Sequence, residues 1–196
     1  MTGFERTPGR FYVLEGLSGV GKSVTLRALP ALMENVRVVA TVGEGYQAPR
    51  RIFDDGRDVL SRHLFYLAAL AAAREEIARH LAGGHIVLAE SYLARTTAFH
   101  RAMGSQLIHN LDELLPMPDI TFLLTCNEEE RVRRLISRDG VLNHWRRLAE
   151  ANKQQILDIY ADYTHHCARA VDSGGTVSAT AHQIAHLINE DLTCLT

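Results

Sequence analysis

The stretch "FYVLEGLSGVGKS" (Phe11–Ser23) decides how this chain is read. An aromatic and β-branched run, Phe11-Tyr-Val-Leu14, enters a loop in which Gly16 is followed by four residues and then by Gly21-Lys22-Ser23. This satisfies G-x-x-x-x-G-K-[ST], the pattern of a loop that holds phosphates. Glycines let backbone N–H groups turn inward and approach phosphate oxygens with no Cβ in the way. The segment "KSVTLRAL" reads as a helix starting near Lys22, and it adds the positive end of its dipole. Lys22 is expected to reach the β- and γ-phosphates, and Ser23 to offer its hydroxyl to Mg²⁺. The predicted nucleotide-binding set is Gly16, Ser18, Gly19, Val20, Gly21, Lys22, Ser23 and Val24.

Composition narrows the class. With 46% hydrophobic and 22% charged residues, the 196-residue chain reads as one globular domain spanning 1–196. The formal net charge of −2 leaves no basic excess to displace counterions, which argues against nucleic acid as a partner. The first ten residues lack an apolar core, and no apolar run approaches the ~18 residues of a membrane span. Cytoplasmic placement without membrane contact is the expectation. Cys126, Cys167 and Cys194 form no C-x-x-C pair and read as reduced thiols.

Strands and helices alternate along the chain. "FYVLEG" is a strand, followed by a helix from Lys22 to about Met33 that Pro30 should bend or end. Val36–Val42 is a second strand, and "GEGYQAPRR" reads as a loop rich in turn formers. His63–Ala82 is a long helix closed by Gly83-Gly84, and His85–Glu90 a buried strand. "LARTTAFHRAM" is helical, "PMPDITFLLT" brings a strand, and Asn127 with Glu130 proposes a capping box for the next helix. A helical stretch from about Asn143 to Cys167, a short strand "RAVDS" and a helix "ATAHQIAHLINEDL" complete the chain. Repeated β-α-β with apolar strands means a parallel sheet covered on both faces.

Several segments together resemble the thymidylate kinase family of nucleoside-monophosphate kinases. "FYVLEGLSGVGKS" is similar to its strand and phosphate loop, and "HIVLAESYLARTTAFHRAMG" to its strand ending in Asp-Arg-Tyr/His with the following helix. "PDITFLLTCNEEERVRRLISRDG" resembles its later strand and arginine-bearing lid, and "VDSGGTVSATAHQIAHLI" its closing strand, adenine-side loop and helix. The resemblance covers nearly the whole chain in order. It implies an α/β fold of the P-loop NTPase type, three-layered, with a five-stranded parallel sheet flanked by helices and a small arginine-bearing lid. It also implies ATP on the phosphate loop, Mg²⁺, a small-molecule acceptor in a facing pocket, and a homodimer. Arg134 and Arg138 align with lid arginines, which neutralise charge on the transferred phosphoryl group.

The chain departs from the family where the acceptor binds. Ser18 stands where the family's loop is acidic, and Glu90-Ser91 replaces the Asp-Arg pair. The aromatic of the long helix is kept at Phe65, but the arginine that reads the pyrimidine four residues on falls at Ala69. A fixed guanidinium is the usual bidentate partner of a monophosphate, and serine cannot replace it. Arg95, one turn beyond Ser91, is the leading substitute; Arg50, Arg51 and Arg74 are others.

Glu90 ends a strand at its carboxyl edge, where open α/β sheets place ligands, so it can hold the Mg²⁺ shell or take a proton from a hydroxyl. Phe65, Tyr66 and Tyr92 could stack a ring of the acceptor. The histidines His182 and His186, and the His165-His166-Cys167 run, lack a third metal ligand at a recognised spacing. The catalytic candidates are therefore Lys22, Glu90, Arg134 and Arg138; the acceptor candidates are Phe65, Tyr92 and Arg95; and the metal candidates are Ser23 and Glu90. These residues point to an ATP-dependent kinase acting on a nucleotide or nucleotide-like acceptor, with plain thymidine monophosphate expected to be a poor one. The alternatives are a kinase for the free hydroxyl of a nucleoside, sugar or specialised metabolite, and a nucleotide-binding module without turnover.

Overall fold

The computed structural model describes residues 8–164 and 167–194. The first seven residues of the N-terminal segment, and His165 and His166 of the histidine run, lie outside them. Five strands form one all-parallel sheet: β1 (Arg10–Glu15), β2 (Val36–Val39), β3 (Ile86–Glu90), β4 (Ile120–Thr125) and β5 (Ala168–Asp172), in the order β2-β3-β1-β4-β5. β1 is flanked by β3 and β4, so the loop that follows it opens at the middle of the sheet's carboxyl edge.

Apolar runs make strands buried on both faces, and their period of two divides them between two cores. Tyr12, Leu14, Leu88 and Phe122 face one side. There they pack with α1 (Lys22–Ala28), α7 (Lys153–Thr164) and α8 (Val177–Thr193) through Leu26, Ile156 and Ile184. Phe11, Val13, Val87 and Ala89 face the other side, against Leu67, Leu70, Ala73 and Ile77 of α3 (Val59–Ala82). The remaining helices are α2 (Glu44–Asp55), α4 (Leu93–Ala102), α5 (Glu128–Asp139) and α6 (His144–Ala151). Among the described residues, no helix is long and apolar enough to cross a membrane.

Five boundaries differ from the sequence reading. α1 ends at Ala28, and Pro30 lies in a 3₁₀ turn, Leu29–Ala31. β2 stops at Val39 rather than Val42. α3 begins at Val59, a full turn before His63, because the Asp58 carboxylate caps it by accepting from the Ser61 N–H at 2.9 Å. The helical stretch after Asn143 is broken at Asn152 into α6 and α7. The expected loop "GEGYQAPRR" is instead the start of α2, with Pro49 inside it. Packing overrides the turn formers here: Phe53 stacks on Phe65 of α3 with ring centroids 4.6 Å apart, and Tyr46 lies 6.0 Å from the same ring.

Candidate active site

The phosphate loop is held in shape by contacts that only glycine permits. Gly16 and Gly19 have φ of 133° and 93°. A Cβ at Gly16 would meet the Leu124 carbonyl oxygen at 2.5 Å, and one at Gly19 the Arg131 carbonyl oxygen at 2.6 Å. Arg131 of α5 fixes the loop from outside, donating to the Ser18 carbonyl at 2.8 Å while pairing with Glu128 and Glu150. The Val20 side chain is buried in the core and Val24 is exposed, so these two face the loop's interior only as backbone.

Lys22 is buried, and its ammonium donates to the Gly16 and Leu17 carbonyls at 3.0 Å each. Burial, with Arg95 beside it, lowers its pKa to about 8, against the opposing pull of Glu90 and Glu15. Ser23 donates its hydroxyl to Glu90 Oε1 at 2.8 Å. The two predicted metal ligands therefore meet, one from the start of α1 and one from the end of β3. Two hard oxygen donors beside a phosphate cradle suit Mg²⁺, which keeps several waters and takes phosphate oxygens as its other ligands. Among the described residues there is no cluster of three or more His, Cys, Asp or Glu that could hold a metal by itself.

Beyond Glu90 the backbone turns sharply. Ser91 has φ of 59°, a left-handed conformation that a non-glycine residue adopts only under constraint, and its N–H bonds to the Leu14 carbonyl at 3.0 Å. This turn leads into α4, which lines a cleft of about 610 Å³. The cleft is lined by Ser18, Lys22 and Ser23, by Arg50, Asp54, Arg62, Tyr66 and Leu70, by Arg95, Phe99 and His100 of α4, and by Arg138, Trp145 and Arg146.

The lining is strongly cationic. Lys22, Arg50, Arg62, Arg95, Arg138 and Arg146 stand against two carboxylates, Asp54 and Glu90. Asp54 pairs with both Arg50 and Arg62, and Asp139, outside the lining, pairs with Arg138 and Arg146. Among the described residues neither Lys22 nor Arg95 has a carboxylate within ion-pair distance. Arg95 lies 4.4 Å over the Phe99 ring, and its Nη1 is buried with no hydrogen-bond partner.

Of the predicted lid arginines, only Arg138 lines the cleft. Arg134 donates to the Ser173 carbonyl at 2.9 Å and the Gly174 carbonyl at 3.3 Å, tying α5 to the loop after β5. The acceptor candidates separate as well. Arg95 lines the cleft, but Tyr92 is buried with its ring edge-on to Phe11 at 5.1 Å. Phe65 is buried against Phe53 and does not line the cleft. α3 presents Arg62, Tyr66 and Leu70 there instead, a stripe at i, i+4 and i+8, while Ala69 faces the core. The aromatic of the cleft is therefore Tyr66 rather than Phe65, and the position four residues on is Leu70. Arg51 and Arg74 do not line the cleft.

Arg62, His100 and Glu15 carry more of the site than the sequence reading gave them. Arg62 is bracketed by Tyr66, Phe99 and Trp145 at 4.6, 5.0 and 4.9 Å, and it lies 2.9 Å from His100 Nε2. Because His100 Nδ1 sits 2.7 Å from the Thr96 carbonyl, that nitrogen carries the proton and Nε2 accepts from Arg62. The helical period from Val59 would have paired Arg62 with Tyr66. The position of Glu15 at the carboxyl end of β1, the same criterion that marks Glu90, would have singled out Glu15.

Comparison with known proteins agrees with this geometry. The thymidylate kinase family model matches residues 14–186. The chain belongs to the thymidylate kinase family. It is thus an ATP-dependent phosphotransferase, and its fold is that of the family. A thymidylate kinase of Desulfotalea psychrophila is 29% identical over 145 residues, 68% of this chain and 71% of the relative. A probable thymidylate kinase of Staphylothermus marinus is 29% identical over 135 residues, 64% of this chain and 68% of the relative. The solved thymidylate kinase of Candida albicans superposes with a TM-score of 0.70 at 18% identity, over 93% of this chain and 92% of its own. That of Ehrlichia chaffeensis gives 0.69 at 21%, over 92% and 98%.

Proposed function

We propose that this kinase transfers the γ-phosphoryl group of ATP to the phosphate of a nucleoside monophosphate, thymidine monophosphate first among them. The observation that carries the reading is Arg95: a guanidinium that lines the same cleft as Lys22, with a buried N–H that no group among the described residues accepts. A dianionic phosphate is the partner such a fork fits. The related proteins named thymidylate kinases support the same acceptor. The expectation that thymidine monophosphate is a poor acceptor finds no support in them. One of its two premises rested on Ala69, which faces the core.

The roles follow from placement. Lys22 and the loop amides bind the β- and γ-phosphates, exchanging the lysine's carbonyl partners for phosphate oxygens. Ser23 and Glu90 would hold Mg²⁺, which when bound would supply positive charge against the phosphates. Arg138 lies near enough to Lys22 to depress its pKa, and it meets charge developing on the γ-phosphoryl group. Arg95 orients the attacking phosphate oxygen, and the Tyr66, Leu70 and Phe99 walls exclude water around the acceptor's ring. A free-hydroxyl acceptor suits the site less well, because the carboxylate that would serve as its base, Glu90, is engaged with Ser23.

The test is ADP release from ATP·Mg²⁺ with nucleoside monophosphates, the matching nucleosides and simple sugars. Turnover with thymidine monophosphate and not with thymidine is the expected result. Faster turnover with an uncharged hydroxyl compound would overturn the reading.

A further inference from the structure

Glu15 ends β1 one residue before the phosphate loop and is 1% exposed. Its carboxylate is engaged on both oxygens. Oε1 accepts the backbone N–H of Tyr92 at 2.8 Å and that of Arg95 at 3.3 Å, and Oε2 accepts the Tyr160 hydroxyl at 3.0 Å. Tyr92 is the N-cap residue of α4, and it makes no side-chain cap. The first N–H groups of a helix have no partner within it, and an uncapped buried end is costly. Glu15 supplies from β1 the cap that the sequence of α4 lacks.

The helix so capped carries Arg95, Thr96, Phe99 and His100 to the cleft. Arg95 depresses the pKa of Lys22 while Glu15 and Glu90 raise it. Burial raises the pKa of Glu15 itself, opposed by its Tyr92 hydrogen bond, by Lys22 and Arg95, and by Tyr160. One carboxylate therefore touches the strand that starts the ATP loop and the helix that carries the acceptor-side arginine, and it lies within electrostatic reach of both cations.

We propose that Glu15 is the positioning residue that joins the two halves of the site: it locks the first turn of α4, the helix that carries Arg95 to the cleft, to the end of β1. The proposal rests on the phosphoryl-transfer reading of the same cleft, but it can be tested apart from it. Glu15→Gln keeps an acceptor oxygen for the two N–H groups and removes the charge; Glu15→Ala removes both.

One readout needs no turnover. Amide hydrogen exchange over residues 91–96 should speed up by about tenfold or more in Glu15→Ala and stay near wild type in Glu15→Gln. With turnover, Glu15→Ala should raise the KM for the acceptor by about tenfold while that for ATP moves far less. Unchanged exchange at Tyr92 and Arg95 in Glu15→Ala would overturn the proposal. If no nucleotide is phosphorylated, the transfer reading fails while the exchange results still decide the role of Glu15.

Discussion

Replacing Arg95 with alanine removes the cleft guanidinium that no carboxylate among the described residues pairs with. Among the described residues its Nη1 is buried and unpaired, and the group is otherwise held only by the Phe99 ring at 4.4 Å. A hydrogen bond to a charged group contributes about 1.5–3 kcal/mol. At 1.4 kcal/mol per decade, Arg95→Ala should cost roughly 10- to 150-fold in kcat/KM for the acceptor. The same change removes a like charge that depresses the pKa of Lys22, so that pKa should rise from about 8 and ATP affinity above pH 8 should hold or improve. Arg95→Lys keeps the charge and loses the planar fork, so its cost should be intermediate. Steady-state ADP release with acceptor and ATP varied separately reads both effects. If Arg95→Ala leaves kcat/KM for thymidine monophosphate within about threefold of wild type, the acceptor phosphate binds elsewhere and the reasoning is wrong.

Three further outcomes are expected. Lys22→Ala should lower kcat by about a hundredfold or more, since it removes a point charge from the transferring phosphates; near wild-type turnover would contradict the loop assignment. Arg138→Ala should lower kcat more than it raises the KM for ATP, whereas Arg134→Ala, whose guanidinium is bound to the Ser173 and Gly174 carbonyls, should act mainly on thermal stability. His63 and His100 are buried, and burial pushes their pKa values down to about 4 and about 2, from 6.5. The unfolded chain therefore binds protons more readily below pH 6.5, and stability is lost as pH falls. Between pH 7 and 5 burial of each histidine should cost the fold about 2 kcal/mol; urea unfolding at pH 7 and pH 5 measures it, and equal midpoints would refute the burial argument.

The central sheet and the donor side of the site were legible in the sequence because they depend on local pattern. Unbroken apolar runs mark the strands, and the glycine spacing of Gly16–Ser23 marks the loop. Glu90 could be placed by its strand end alone. The acceptor side depends on helix phase and on long-range packing, which local pattern does not carry. Starting α3 at His63 hid Arg62 altogether, and choosing Phe65 over Tyr66 turned the stripe by one residue, enough to aim it into the core. α2 was hidden by Gly43, Gly45 and Pro49, whose local preference loses to ring stacking against Phe65. Arg134 and Arg138 are one turn apart on one helix, and only the position of the loop after β5 decides which of them faces the cleft.

The most direct test of phosphoryl transfer onto a phosphate is the ³¹P NMR spectrum of the product formed from thymidine monophosphate and ATP·Mg²⁺. The pair of coupled doublets of a nucleoside diphosphate, growing beside those of ADP and absent with Lys22→Ala, is the expected result. A second phosphomonoester singlet, from transfer to the 3′-hydroxyl of thymidine monophosphate, with no second pair of doublets, would contradict it.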